Sequence, residues 1–298
     1  MDYTYYAAID IGSNAVRLLI KRLDDAQKGI FSKVVTLRVP LRLGQDVFTT
    51  GKISDRKAHD LREIIKAFVI VMKVYAVKNK NFRACATAAM REATNGTAVV
   101  NMIRQSIDVD INIISGNEEA TIVCSMHTNR TDTKDLIYID VGGGSTEVSL
   151  VCDGILQATK SYPIGTVRIL NGAVAEGVTD ELVRDMQLIA TEHPKLTIVG
   201  AGGNISKLFT LADERDTAGQ RISPVALEHI YTELSQLTIA QRTEKFGLKP
   251  DRADAIVPAA NIFLMIAKAL EAESIEVPST GLADGIIEDL FWQQIENR

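Results

Sequence analysis

A short pattern occurs twice in this chain. Near its start, residues 9–15 read "IDIGSNA", and in its middle, residues 139–146 read "IDVGGGST". Asp10 and Asp140 lie 130 positions apart (140 − 10), and so do Gly12 and Gly142, and Arg17 and Glu147. In each copy an apolar run carries an aspartate near its end, meets a glycine-containing turn and is followed by a second apolar run. Such a run, turn and returning run read as two antiparallel strands. A recurrence in register, with one copy opening each half, predicts two similarly folded domains. The 298 residues, 46% of them hydrophobic, are enough to build two cores.

The elements around each copy support the division. In the first half, Tyr5–Ile11, 15–23 and 31–39 read as strands. Leu61, Ile64, Ile65, Phe68 and Met72 recur at spacings of three and four, which predicts a helix within 54–77. Phe82–Ala86 and 111–114 read as strands, and 97–107 and 117–128 as helices. The polar stretch "TNRTDTKD", residues 128–135, is the expected linker between a first domain, 1–127, and a second, 128–283. The pattern then restarts, with strands expected at Leu136–Val141, Thr146–Cys152, 155–163, 195–199 and 275–278. Helices are expected at 180–191, 224–237, 251–271 and 284–295.

A strand ending in aspartate and a glycine turn suits phosphate chemistry. Glycine lets backbone N–H groups approach phosphate oxygens without interference from a Cβ, and it permits positive φ. The amides of Gly12, Ser13 and Asn14 and those of Gly142, Gly143, Gly144 and Ser145 are the candidate donors. Asp10 and Asp140, held at strand ends, can bind magnesium directly or through water. Two such turns, one per domain, would hold phosphates from both sides of an interdomain cleft. A third cluster, "VGAGGNIS" at 199–206, follows a strand and opens a helix. Free N–H groups and the helix dipole there make Gly202 and Gly203 further phosphate-binding candidates.

Seven segments together resemble the exopolyphosphatase and guanosine-pentaphosphate phosphohydrolase (Ppx/GppA) family of the actin-like phosphotransferase superfamily. They are "AAIDIGSNAVRLLI", "ATAAMREATN", "IISGNEEA", "IDVGGGSTEVSL", "VGAGGN", "DRADAIVPAANIFL" and "GLADGIIEDL". The resemblance spans nearly the whole chain in the family's order. It implies an α/β fold of two ribonuclease-H-like (actin-like ATPase) domains with the active site between them, the last helix, 284–298, packing back onto the first domain. It also implies a homodimer. The chain departs from the family pattern at Asn204, where threonine is common, and at "GLADG", where "GLREG" is usual.

The two glutamates of "ISGNEEA" differ locally. Ser115 and Glu118 have the spacing of a capping box, so Glu118 reads as a structural cap. Glu119 precedes Ile122, Val123 and Met126 by three, four and seven residues and should point inward. A carboxylate on an inward face is costly without a partner or a task. The resemblance makes Glu119 the catalytic base, places Arg91 on substrate phosphate and sets Glu147 near the metal. Guanidinium fits phosphate as a planar fork of donors. The expected reaction is magnesium-dependent, in-line transfer of a terminal phosphoryl group to water, from inorganic polyphosphate or from guanosine pentaphosphate.

Other classes have less support. A sugar kinase of the same superfamily would need an acceptor-activating aspartate and an adenosine pocket, and neither has a clear signal. A non-hydrolytic sensor of nucleotide alarmones would have no use for Glu119, Arg91 and both aspartates together. The net charge is −5, so any anion site must be local, and nucleic acid is not an expected partner. The lack of a long basic run predicts preference for short polyphosphate chains. No run of 18 apolar residues and no leader pattern is seen, so neither membrane insertion nor export is expected, and a cytoplasmic location is. Cys85, Cys124 and Cys152 read as buried small hydrophobes in a reducing compartment, and the four histidines show no metal-ligand spacing.

Overall fold

The structure is a computed structural model that describes residues 3–128 and 135–296, with the side chains of 126–128 left out. Most of the expected linker, 128–135, lies outside the described residues. The chain divides into two compact units, Met1–Met126 with Leu282–Arg298, and His127–Gly281. Each has its own hydrophobic core.

The first unit begins with three antiparallel strands, β1 (Tyr5–Ile11), β2 (Ala15–Asp25) and β3 (Ile30–Pro40). Two helices follow, α1 (Leu43–Thr50) and α2 (Asp55–Val74). In α2 the predicted stripe is buried at Leu61, Ile65, Phe68 and Met72, and the Ser54 hydroxyl caps its first turn by accepting from the Lys57 amide. Strand β4 (Phe82–Ala86) runs into α3 (Ala88–Glu92), and α4 (Gly96–Ile107), β5 (Ile111–Ile113) and α5 (Gly116–Thr128) complete the run. The sheet order is β3-β2-β1-β4-β5, with β4 parallel to both β1 and β5. Central β1 is buried from Tyr6 to Ile11, as a strand covered on both faces must be.

The second unit repeats the scheme. Strands β6 (Leu136–Val141), β7 (Thr146–Cys152) and β8 (Ile155–Tyr162) form the antiparallel part. Next come α6 (Thr166–Leu170), α7 (Val178–Glu192), β9 (Thr197–Ala201) and α8 (Gly203–Leu211). Two short strands, β10 (Arg215–Asp216) and β11 (Arg221–Ile222), precede α9 (Pro224–Ser235), α10 (Ile239–Phe246), α11 (Pro250–Ala253), α12 (Ile256–Ala269) and β12 (Ile275–Glu276). The sheet order is β10-β11-β12-β9-β6-β7-β8, and β9 is parallel to β6 and β12. Read from β8 to β12, this is the first unit's order again, with β11 and β10 added at one edge. The order is that of a ribonuclease-H-like domain, present twice.

One long helix expected over 251–271 is instead two, α11 and α12. Pro258 explains the break. It has no amide proton for a bond back to Asp254, and proline is accommodated in the first turn of a new helix rather than inside an old one.

The chain ends in α13 (Leu282–Glu296), which belongs to the first unit and packs on β1, β2 and β4. Gly285 faces the Ile122 carbonyl of α5, where a Cβ would collide with the backbone. A buried charge cluster fastens the helix. Lys21 Nζ lies 2.8 Å from Asp284 Oδ1 and 3.3 Å from Glu288 Oε1, while exposed Lys33 adds a contact to Asp284 at 3.0 Å. Lys21 and Asp284 are both buried. Removing one partner of a buried ion pair leaves the other charge uncompensated. Lys21→Met is therefore expected to cost about 3 kcal/mol or more of unfolding free energy in urea titration. A loss below about 1 kcal/mol would show that the cluster does not hold the helix.

Candidate active site

The proposed site residues gather at one edge of each sheet. In an open α/β sheet the carboxyl ends of parallel strands are where loops can hold ligands. In the first unit, β1 ends in Asp10 and the "GSN" turn, β4 leads into α3 with Arg91, and β5 leads to α5 with Glu119. Backbone bonds from Thr87 to Ile11 and from Ile114 to Ala86 keep these ends together. In the second unit, β6 ends in Asp140 and its glycine turn, and neighbouring β9 leads to Gly202 and Gly203.

The two turns close alike. The Gly12 amide donates to the Ala15 carbonyl at 3.1 Å, and the Gly142 amide to the Ser145 carbonyl at 2.9 Å. Positive φ is not the reason for these glycines, contrary to the expectation, because Gly12, Gly142, Gly143 and Gly144 all lack it. Among the proposed phosphate-binding glycines only Gly202 has it, at +90°. What the central turn requires is close packing of bare backbone. A Cβ on Gly165 would lie 2.6 Å from the Gly143 carbonyl carbon and 2.7 Å from that of Gly144. No real Cβ is found that close to backbone.

That packing orients the turn. The Gly142 carbonyl accepts from the Thr166 amide at 3.0 Å, and the Gly143 carbonyl from the amides of Val167 at 2.8 Å and Arg168 at 3.0 Å. The Gly144 carbonyl accepts from Arg168 Nε at 2.7 Å. All three carbonyls thus face α6. Peptide units are planar, and none among the described residues is cis. In a trans unit the N–H points opposite to the C=O. The N–H groups of Gly143, Gly144 and Ser145 therefore all turn away from α6 to one side, a ready anion cradle.

Charge beside the two turns differs by one residue. In the second unit Asp140 is the cross-strand partner of Glu147. Like charges directly opposed on a sheet repel unless a cation or proton intervenes. Glu147 is buried, and its Oε1 accepts from the hydroxyls of Ser145 at 2.5 Å and Ser161 at 2.9 Å. Gly202 abuts the Asp140 carboxylate so closely that a side chain there would run into Oδ1. Asn204 donates from Nδ2 to the Val141 carbonyl at 3.1 Å, which ties the third loop to the end of β6. Asp140, Glu147, the turn and Gly202–Gly203 are thereby brought together within this unit. The two carboxylates form a hard-oxygen donor set of the kind magnesium takes.

In the first unit the same cross-strand position holds a cation. Asp10 pairs with Arg17, and Arg17 Nη1 lies 3.5 Å from Asp10 Oδ2. This pair fits a metal less well, because Arg17 already supplies positive charge. Burial pushes the Asp10 carboxyl above its usual range, and Arg17 only partly opposes that. A carboxyl whose pKa is raised on folding binds its proton more tightly in the native state, so stability falls as pH rises from the unfolded value to the folded one. In the presence of chelator, Asp10→Asn is expected to be more stable than the parent at pH 7. The difference should shrink as pH falls toward 3.8, measured by urea midpoints across that range. A less stable variant at pH 7 would overturn this account.

Behind the first turn sits α1, a helix not anticipated from sequence. The Gly44 amide donates to the Ser13 carbonyl at 2.8 Å, and the Arg42 amide to the Asn14 carbonyl at 2.9 Å. By the same peptide geometry the Asn14 N–H turns away from α1.

Glu119 and Arg91 meet. Glu119 is 8% exposed, and its Oε2 lies 3.8 Å from Arg91 Nη1. Arg91 also donates from Nη1 to the Ile114 carbonyl at 2.8 Å, just before α5. Glu118 turns the other way. Only half of the expected capping box forms, since the Ser115 hydroxyl accepts from the Glu118 amide at 3.1 Å. The Glu118 carboxylate instead accepts from Arg83 Nη2 at 3.0 Å, and Arg83 Nη1 binds Asp289 of α13 at 2.7 Å. Sequence reasoning missed Gly165 and Arg168, which hold the central turn. The one available signal was the lone glycine in "PIGTVR", residues 163–168.

Residues 20–293 match the model of the Ppx/GppA phosphatase family. "Exopolyphosphatase 1" of Mycobacterium tuberculosis (strain ATCC 25618 / H37Rv) is 26% identical over 94% of this chain and 86% of its own length. The guanosine-5'-triphosphate,3'-diphosphate pyrophosphatase of Photobacterium profundum is 24% identical over 96% of this chain and 59% of its own. Among solved structures, an exopolyphosphatase from Cytophaga hutchinsonii superposes with a TM-score of 0.84 at 18% identity, covering 97% of this chain and 98% of that one. The Aquifex aeolicus Ppx/GppA member gives 0.77 at 22% identity, with 99% of both chains covered. The structural likeness establishes the fold, and the match over most of the sequence establishes the lineage: this chain belongs to the Ppx/GppA phosphatase family.

Proposed function

We propose that this chain is a magnesium-dependent phosphohydrolase that releases the terminal phosphate of inorganic polyphosphate, favouring short chains. The observation that carries the reading is the central turn. Its three adjacent amides, those of Gly143, Gly144 and Ser145, face one way beside the opposed carboxylates of Asp140 and Glu147. Anion donors next to a cation-demanding pair are what a metal-bound phosphate requires. The amides of Gly12–Asn14, Gly202 and Gly203 are assigned to the remaining phosphate oxygens.

The roles divide by residue. Arg91, tethered to the Ile114 carbonyl, offers its remaining donors to the phosphoryl oxygens. Glu119 orients a water and takes its proton as the new P–O bond forms. The bond to the adjacent phosphate then breaks, and the shortened chain leaves with the electron pair. Asp140 and Glu147 would hold magnesium in the second unit, and Asp10 is assigned the same task in the first. When bound, that ion offsets charge on the phosphate oxygens. Guanosine pentaphosphate is the second reading, favoured by the relative named for that activity. It ends in the same phosphoric anhydride and would use the same groups.

The test is phosphate release from short polyphosphate, long polyphosphate and guanosine pentaphosphate, with magnesium titrated. Release is expected to be fastest on short polyphosphate, and partial digests of long polyphosphate should shift downward as a population on gels. Asp140→Asn should raise the magnesium concentration at half-maximal rate by more than Asp10→Asn does, because Asp10 retains Arg17 as a counter-charge. No release from any of the three substrates would overturn the assignment. An unchanged magnesium titration in Asp140→Asn would overturn the metal site.

A further inference from the structure

A second group of metal-type ligands lies at the other end of the β6–β7 hairpin. Asp135 directly precedes β6, Cys152 ends β7 and His193 follows α7. Their donor atoms all lie within 4.8 Å of one another. His193 Nδ1 is 2.9 Å from Asp135 Oδ2 and 3.8 Å from Cys152 Sγ. Sequence spacing concealed the group, since 58 and 41 residues separate His193 from the other two. Cys152 was expected to be a buried hydrophobe, yet unlike Cys85 and Cys124 it is partly exposed.

The hairpin register explains the meeting. Leu136 is opposite Val151, so one step further brings Asp135 opposite Cys152. The same register sets Asp140 opposite Glu147 five pairs away. At roughly 3.4 Å per residue, the two groups are about 17 Å apart. Each backbone is anchored. The Thr197 amide donates to the Asp135 carbonyl at 2.9 Å, and the His193 amide to the Ile189 carbonyl at 2.8 Å. Cys152 is paired with Ile155 across the β7–β8 hairpin.

The arrangement discriminates between two kinds of chemistry. In a nucleophile–base–orienter relay the thiol and the carboxylate contact opposite nitrogens of the imidazole. Here both approach Nδ1, so the three donors converge on one point. Convergent sulfur, nitrogen and oxygen donors are a ligand set for a borderline divalent ion such as zinc, and thiolate does not suit magnesium. Exposure of the His193 and Asp135 side chains, 23% and 35%, leaves a path for the ion and a fourth position open to water. We propose that Asp135, Cys152 and His193 form a zinc-class site that clips the start of β6 and the end of β7 to the end of α7. Binding displaces the thiol proton and uses neutral imidazole at Nδ1.

The experiment uses the full chain, stripped with chelator and titrated with cobalt(II), whose thiolate complex absorbs by sulfur-to-metal charge transfer. One cobalt per chain with that absorption is expected. Zinc should displace it and raise the Tm of the parent protein. Cys152→Ser should abolish the absorption, and His193→Gln should weaken cobalt binding by about 100-fold or more. Asp140→Asn should keep both the absorption and the affinity, which separates this group from the proposed magnesium site. Unfolding of the metal-free variants, matched to that of the stripped parent, controls for misfolding. Absorption that persists in Cys152→Ser, or its absence from the parent at saturating cobalt, would overturn the proposal.

Discussion

Glu119→Gln is expected to lower phosphate release by about two to four orders of magnitude, the usual worth of a general base, with substrate binding largely kept. The substitution is nearly isosteric and leaves α5 intact. It replaces the basic carboxylate by a neutral amide, and so removes the charge 3.8 Å from Arg91. The expected signature is a fall in kcat with KM little changed. Glu118→Gln is the control on the same helix turn. Its carboxylate is half-exposed and binds Arg83, so it should cost about 1 kcal/mol or less in stability and leave kcat within a few-fold. If the two variants exchanged these phenotypes, Glu118 and not Glu119 would be the base.

Gly165→Ala is the second large effect expected, and it concerns a residue given no part in the proposed chemistry. Its Cβ would need space held by the carbonyl carbons of Gly143 and Gly144, at 2.6 and 2.7 Å. Backbone cannot yield as a flexible side chain can, so either the central turn or α6 must move. The amides of Gly143, Gly144 and Ser145 take their direction from those bonds to α6. A displacement of about 1 Å in such groups costs on the order of 100-fold in rate. Activity is expected to fall by at least about that factor, with KM for polyphosphate raised as well. Far-ultraviolet circular dichroism should remain that of the parent, since Gly165 sits at a helix start with extended backbone that alanine can adopt. Activity within threefold of the parent would mean that the turn tolerates the shift.

Much of the fold was legible because it is written in local patterns. Strands β1, β4, β6 and β7 were bounded correctly from their apolar runs and the glycine turns between them. The repeat at 130 residues predicted two similarly folded domains, and the two sheets share one strand order. The inward direction of Glu119 followed from the stripe containing Ile122 and Val123. Elements that escaped were short or lacked periodicity. Helices α1, α3 and α6 have eight, five and five residues, too few for a stripe to repeat.

The sequence by itself determined the two-domain plan, the aspartate at the end of each first strand, the glycine turns and the inward direction of Glu119. Covalent order is enough for these, since periodicity and turn chemistry act over a few residues. Tertiary structure decided the rest, because it depends on groups distant in sequence. It turned Glu118 to Arg83 and away from its cap. It set Arg17 opposite Asp10 but Glu147 opposite Asp140, so that a cation faces one aspartate and a second carboxylate faces the other. It gave the central glycines their purpose through Gly165, and it drew Asp135, Cys152 and His193 to one point. In each case the deciding quantity is a through-space distance of a few ångströms. Residue spacing along a chain does not encode such a distance until packing has closed the loops between the partners.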